Sequence, residues 1–71
     1  MNEWLERVAA AVGSDERLTG EEMDALLEIA RIAAHESGDR RNAPLLTYLV
    51  GRSRADRSLT ELLEAVRASS S

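Results

Sequence analysis

The chain has no cysteine, no lysine and no phenylalanine, and its 71 residues include a single histidine, proline, tryptophan and tyrosine. The lack of cysteine excludes a disulfide framework, a thiolate zinc site, an iron–sulfur cluster and a thiol nucleophile. One histidine excludes an imidazole metal cluster, and two aromatic residues exclude a base-stacking platform for nucleic acid. Long apolar runs are also missing; none approaches the ~20 residues that span a bilayer, so no membrane contact is expected. The opening MNEWLERV carries Glu3 and Glu6 where an export signal would carry positive charge, so the expected location is the cytoplasm.

What remains is the material of a small soluble domain. Apolar residues make up 44% and charged residues 31%, close to globular averages. One domain over residues 2–68 with a disordered serine tail at 69–71 is the expected organisation. The net charge of −4 is unevenly spread. Residues 1–38 hold three Arg against nine acids, whereas residues 39–57 hold five Arg against Asp39 and Asp56. This division disfavours general nucleic-acid binding and leaves room for one local site facing an anion or an acidic partner.

Apolar periodicity predicts four helices and no strand. In the first, from about Glu3 to Val12, Trp4, Leu5, Val8, Ala11 and Val12 share a face. Asn2 serves as its cap and Gly13 as its stop. Thr19-Gly20-Glu21-Glu22 is a capping box that starts a second helix, running to about Ser37 and ended by Gly38. Its expected buried stripe is Met23, Leu26, Leu27, Ala30, Ala33 and Ala34, widened by Ile29. Asp24, Glu28, Arg31 and His35 lie opposite, and Ile32 lies off both faces. Pro44 suits the first position of a third helix. Leu45, Leu46, Tyr48, Leu49 and Val50 make that helix apolar around most of its circumference, which predicts a central, buried element. Thr47 and Gly51 leave it a slender side for close approach of another backbone. Ser58-Leu59-Thr60-Glu61 is a second capping box, and Leu59, Leu62, Leu63 and Val66 form the stripe of helix four.

The expected fold is therefore all-α, a compact four-helix bundle. A core of this size supplies about 3–5 kcal/mol of net stability. Ile29 and Ile32, beyond the expected stripe, offer a face for a homodimer.

Chemistry-bearing residues are few. His35 is the one side chain that ordinarily titrates near neutrality, but no nucleophile or oxyanion donor is spaced to work with it. No catalytic residue, metal or cofactor is expected, and the chain is read as not an enzyme. Arg40, Arg41, Asn42 and the amides that open helix three form the best candidate site, suited to phosphate or carboxylate, with His35 across the turn. The plain alternative is a solvated loop. Arg52, Arg54 and Arg57 could touch phosphates, yet helix four is acidic where a DNA reader would be basic, so no nucleic-acid partner is expected. Length, acidity and four helices also suit an acyl carrier protein, but the Asp-Ser-Leu attachment site of that family is missing from the start of helix two.

The segments Glu3-Trp4-Leu5, Ala30-Arg31-Ile32-Ala33-Ala34-His35 and Ala43-Pro44-Leu45-Leu46-Thr47-Tyr48-Leu49-Val50-Gly51 resemble those of a family of small actinobacterial proteins of unknown function. Its members show EWL, an acidic helix, AR-x-x-AH, an Arg, and APL-x-x-FL-x-G, and the likeness covers roughly residues 2–52. Trp4, His35, Arg40 or Arg41, Pro44 and Gly51 match the pattern. Tyr48 replaces Phe, and the interval from His35 to Pro44 is one residue longer. Members occur beside, or fused to, the guanylyltransferase that attaches a nucleotide to the molybdenum cofactor. The resemblance implies an accessory role in molybdenum cofactor biosynthesis, with that enzyme as a protein partner. The expected contact residues are His35, Arg40, Arg41 and Pro44. A module holding a nucleotide phosphate at the same turn is the alternative.

Overall fold

A computed structural model describes residues 1–54 and 57–70. Four helices account for the fold: α1 (Glu3–Ala11), α2 (Gly20–Glu36), α3 (Asn42–Ser53) and α4 (Leu59–Ser70). The architecture is all-α and bundle-like, with no strand among the described residues. The polar stretch from Arg52 to Arg57, which reads as a loop by its polarity, is helical at its start, because α3 runs to Ser53; Ala55 and Asp56 lie outside the described residues. The expected serine tail starts inside α4, which reaches Ser70, and Ser71 lies outside the described residues.

Local signals set the helix ends. Asn2 Oδ1 accepts from the Leu5 amide at 2.8 Å and caps α1. At the other end Gly13 adopts φ +82°, and the Gly13 and Ser14 amides donate to the Ala10 and Ala9 carbonyls, a Schellman stop. At α2 the Thr19 hydroxyl accepts from the Glu22 amide at 3.1 Å while Glu22 Oε1 accepts from the Thr19 amide at 2.9 Å. Gly38, at φ +74°, provides the left-handed turn after α2. Ser58 caps α4 by accepting from the Glu61 amide at 3.1 Å.

Packing departs from expectation in one respect that governs everything else: the central helix is α2, not α3. α2 packs against both α3 and α4, and no other pair of helices is packed to a comparable extent. Ala25, Ile29, Ile32 and Ala33 of α2 are buried, Ile29 completely. Ala25, Ile29 and Ile32 form one core with Val50 of α3 and Leu59, Leu62 and Leu63 of α4, with Leu26, Leu46 and Val66 around the edge. The buried stripe is thus turned from the expected one by roughly one residue step, about 100° of helix. Leu27, placed in the core by periodicity, is 69% exposed. Ile32, assigned to neither face, lies at the centre. The two isoleucines proposed as a dimer face are therefore covered within the chain. The reason is that α2 carries two adjacent apolar stripes. The one with bulky β-branched side chains fills the space opposite the leucines of α4, while the alanine-rich one leaves less area to bury.

α3 contributes only Val50 to the fully buried set, and Leu45, Tyr48 and Leu49 are exposed. A Cβ placed on Gly51 would meet open space, so the slender side of this helix is not approached by another backbone. α1 contributes no buried residue. Its connection to the chain that follows includes a 3.8 Å ion pair between Glu6 and Arg17.

Candidate functional site

The turn from α2 to α3 is organised by Asn42, a member of the expected site, and by two residues that sequence patterning did not single out, Ser37 and Asp39. The Ser37 hydroxyl donates to the Ala33 carbonyl and accepts from the Asp39 amide at 3.2 Å and from Asn42 Nδ2 at 2.9 Å. Asp39 then holds Arg41 in a fork. Its Oδ1 takes the Arg41 amide at 2.9 Å and Nε at 3.1 Å, and its Oδ2 takes Nη2 at 2.9 Å. The Arg41 side chain, followed by its amide, holds the Asp39 carboxyl below the usual carboxylate range, and Asp39 in turn raises the Arg41 guanidinium. A Ser-x-Asp-x-Arg spacing after a helix end is the signal that could have revealed this lock.

The lock determines how the predicted site residues stand. α3 starts at Asn42, so Pro44 is its third residue rather than its first. That position still suits proline, since the first amides of a helix have no intrahelical acceptor. The Asn42 and Ala43 amides donate to the Asp39 and Arg40 carbonyls at 3.0 and 3.2 Å, so the start of α3 presents few unengaged donors. Arg41 is engaged by Asp39, whereas the Arg40 side chain is exposed with no ion-pair or hydrogen-bond partner among the described residues. His35, in the last turn of α2, is exposed, as is Pro44. The turn therefore brings Arg40, Arg41 and Pro44 together within one short segment after His35. Trp4 and Gly51, the other motif positions, are exposed on α1 and α3.

Beyond the turn, the outer face of α3 is unusually apolar for a surface. Leu45 and Tyr48 are each 61% exposed and Leu49 57%, at the i, i+3, i+4 spacing that aligns them in one ridge. Arg52 closes the ridge, donating to Tyr48 Oη at 3.0 Å with its guanidinium carbon 5.8 Å from the ring centroid. The other arginines of the basic stretch divide. Arg54 is bound to Glu22, tying the end of α3 to the start of α2, while Arg52 and Arg57 have no carboxylate partner among the described residues. The Thr19 amide, then Arg54, hold the Glu22 carboxyl below its ordinary value.

No group of three or more potential ligands is placed to hold a metal ion among the described residues, and no helix there is long and apolar enough to cross a membrane. A family model described as a domain of unknown function, DUF6457, matches residues 1–71. The chain belongs to that family. No curated protein and no solved structure matches it.

Proposed function

We propose that the chain is a non-enzymatic helical accessory domain that acts by binding another protein. The supporting observation is the ridge of Leu45, Tyr48 and Leu49, more than half exposed and closed at one end by Arg52, with the exposed Arg40 in the turn that leads into α3. Apolar side chains in line, rimmed by cations without carboxylate partners, fit a partner surface that presents apolar groups flanked by acids. His35, Arg41 and Pro44 extend the rim at the α2–α3 turn. The resemblance of the EWL, AR-x-x-AH and APL segments to small actinobacterial proteins supplies a partner to test, a molybdenum cofactor guanylyltransferase. In that setting the domain would serve molybdenum cofactor biosynthesis in the cytoplasm. The alternative, capture of a nucleotide phosphate at the turn, draws its support from Arg40, since Arg41 and the neighbouring amides are already engaged.

Titration of the labelled chain against a purified guanylyltransferase from the same genome tests this. Binding that falls tenfold or more in Tyr48→Ala or Leu45→Glu, with helix content and melting unchanged, is the expected result. Binding indifferent to both substitutions, or absent altogether, removes the proposal. A shift of the His35 ring signals by phosphate or GTP alone would favour the ligand module instead.

A further inference from the structure

α3 and α4 both rest on α2 but are not packed closely on one another, and the space between them is a groove. Leu46, Leu49, Leu62 and Val66 line it, and small residues on α4, Ala65 and Ser69, keep it wide. It encloses about 350 Å³ at the end near Arg57 and about 600 Å³ toward Ile32 and Leu45. Meanwhile α1, an amphipathic helix, has no fully buried residue: Val8 and Ala9 are half-buried, while Trp4 is 60% exposed and Val12, its C-cap, 74%. One element leaves most of its apolar face uncovered, and another surface has an apolar groove.

We propose that the chain forms a two-fold dimer in which α1 of each copy lies in the α3–α4 groove of the other. Three observations favour a second copy as the occupant. The first is area. The molecule exposes 5325 Å² at a mass of 7.8 kDa, whereas a compact monomer of that mass exposes about 4,400 Å². The surplus matches the roughly 800 Å² that each partner contributes to a standard interface. Second, the dimensions agree. The nine residues of α1 rise about 14 Å and the groove wall from Leu62 to Ser69 about 10 Å, so the helix covers the groove with little overhang. Third, the charges are complementary. Among the described residues, Glu3 stands in the first turn of α1 without an ion-pair partner, whereas Glu6 is held by Arg17, and Arg57, on the groove, has no carboxylate partner. Exchange in both directions is isologous and closes at two copies. The dimer goes beyond the docking function above and shares Leu45 and Leu49 with it, since both also line the groove; Tyr48 is the ridge residue outside the groove, and Ala65 of α4 is a groove residue outside the ridge.

Trp4 is the sole tryptophan and so reports directly on its surroundings. The full chain is followed by sedimentation and tryptophan emission over a concentration series from about 1 μM to 1 mM. Expected is a monomer–dimer equilibrium whose dimer fraction tracks a blue shift of Trp4 emission. Ala65→Glu, at an exposed position in the groove and outside the docking ridge, should weaken association tenfold or more while circular dichroism and melting of the monomer stay unchanged. Glu3→Arg should weaken it likewise, and mixing that variant with Arg57→Glu should restore a heterodimer. Any of three results overturns the proposal. These are a strict monomer at 1 mM, a dimer insensitive to Ala65→Glu, and a concentration-independent blue shift in a monomer, which would place α1 in its own groove. Guanylyltransferase binding by the strictly monomeric chain would leave the docking function standing without the dimer.

Discussion

Helices α1 and α2 illustrate two fates for an amphipathic segment. Both carry a side-chain cap, both end at a glycine with positive φ, and both place acids in the first turn. Yet α2 contributes four buried residues, including the one fully buried side chain, while α1 contributes none. Amphipathicity creates a face able to be buried. Whether it is buried depends on a complementary surface, and α2 finds two in this chain.

Substitutions should separate the two helices by size of effect. The largest is expected at Ile29, where truncation to Ala removes completely buried methylenes amid α2, α3 and α4. A loss of about 3 kcal/mol is expected, comparable with the total of about 3–5 kcal/mol for a core this small. Urea titration followed by circular dichroism should find Ile29→Ala largely unfolded. If it unfolds at the wild-type midpoint, α2 is not the organising helix. Next comes Thr19→Ala, which deletes half of the α2 capping box and should cost about 1 kcal/mol of global stability. Asn2→Ala removes a cap of the same kind from α1, but should leave the global urea midpoint unmoved and raise only the local amide exchange of residues 3–11. Equal midpoint losses for both would show that α1 is part of the cooperative core.

Acid should produce a smaller effect. The carboxyls of Glu22, Glu28 and Asp39 are all held below their ordinary values, by the Thr19 amide, Arg31 and Arg41 respectively. A carboxyl lowered in the folded state binds fewer protons than in the unfolded chain. Its contribution is therefore present above the ordinary carboxylate range and is lost as pH falls through and below it. Urea midpoints should decline from pH 7 toward pH 3, and 0.5 M salt should shrink the decline because these groups are partly in water. A midpoint that rises on acidification would reverse the assignment. Smallest of all, Leu27→Ala should alter stability by less than about 0.5 kcal/mol, since the side chain already lies in solvent.

Much of the architecture was legible in the residues. Asn2, Gly13, the Thr19–Glu22 box, Gly38 and Ser58 are local signals, and each acts where its pattern predicted. Local chemistry decides such features, because the partners are within a few positions in the chain. Leu27, Ile32 and the α3 ridge were misplaced for a common reason. Hydrophobic periodicity reports which residues are apolar and on which side of a helix, but α2 has two apolar stripes and α3 is apolar nearly all round. The candidate site was legible as a basic turn through Arg40 and Arg41, but the hold of Asp39 on Arg41 was not. That contact depends on the turn geometry set by Ser37 and Gly38.

The sequence by itself determined four helices, their caps and stops, and an acidic front half before a basic middle, because short-range hydrogen bonding and composition need no knowledge of the fold. Only the tertiary structure decided that α2 is central, that Ile29 and Ile32 face inward, and that α1 and the outer side of α3 keep their apolar groups in water. That choice belongs to the docking of whole helices, where bulky side chains of α2 and α4 fill one shared space and whatever cannot fit is left outside.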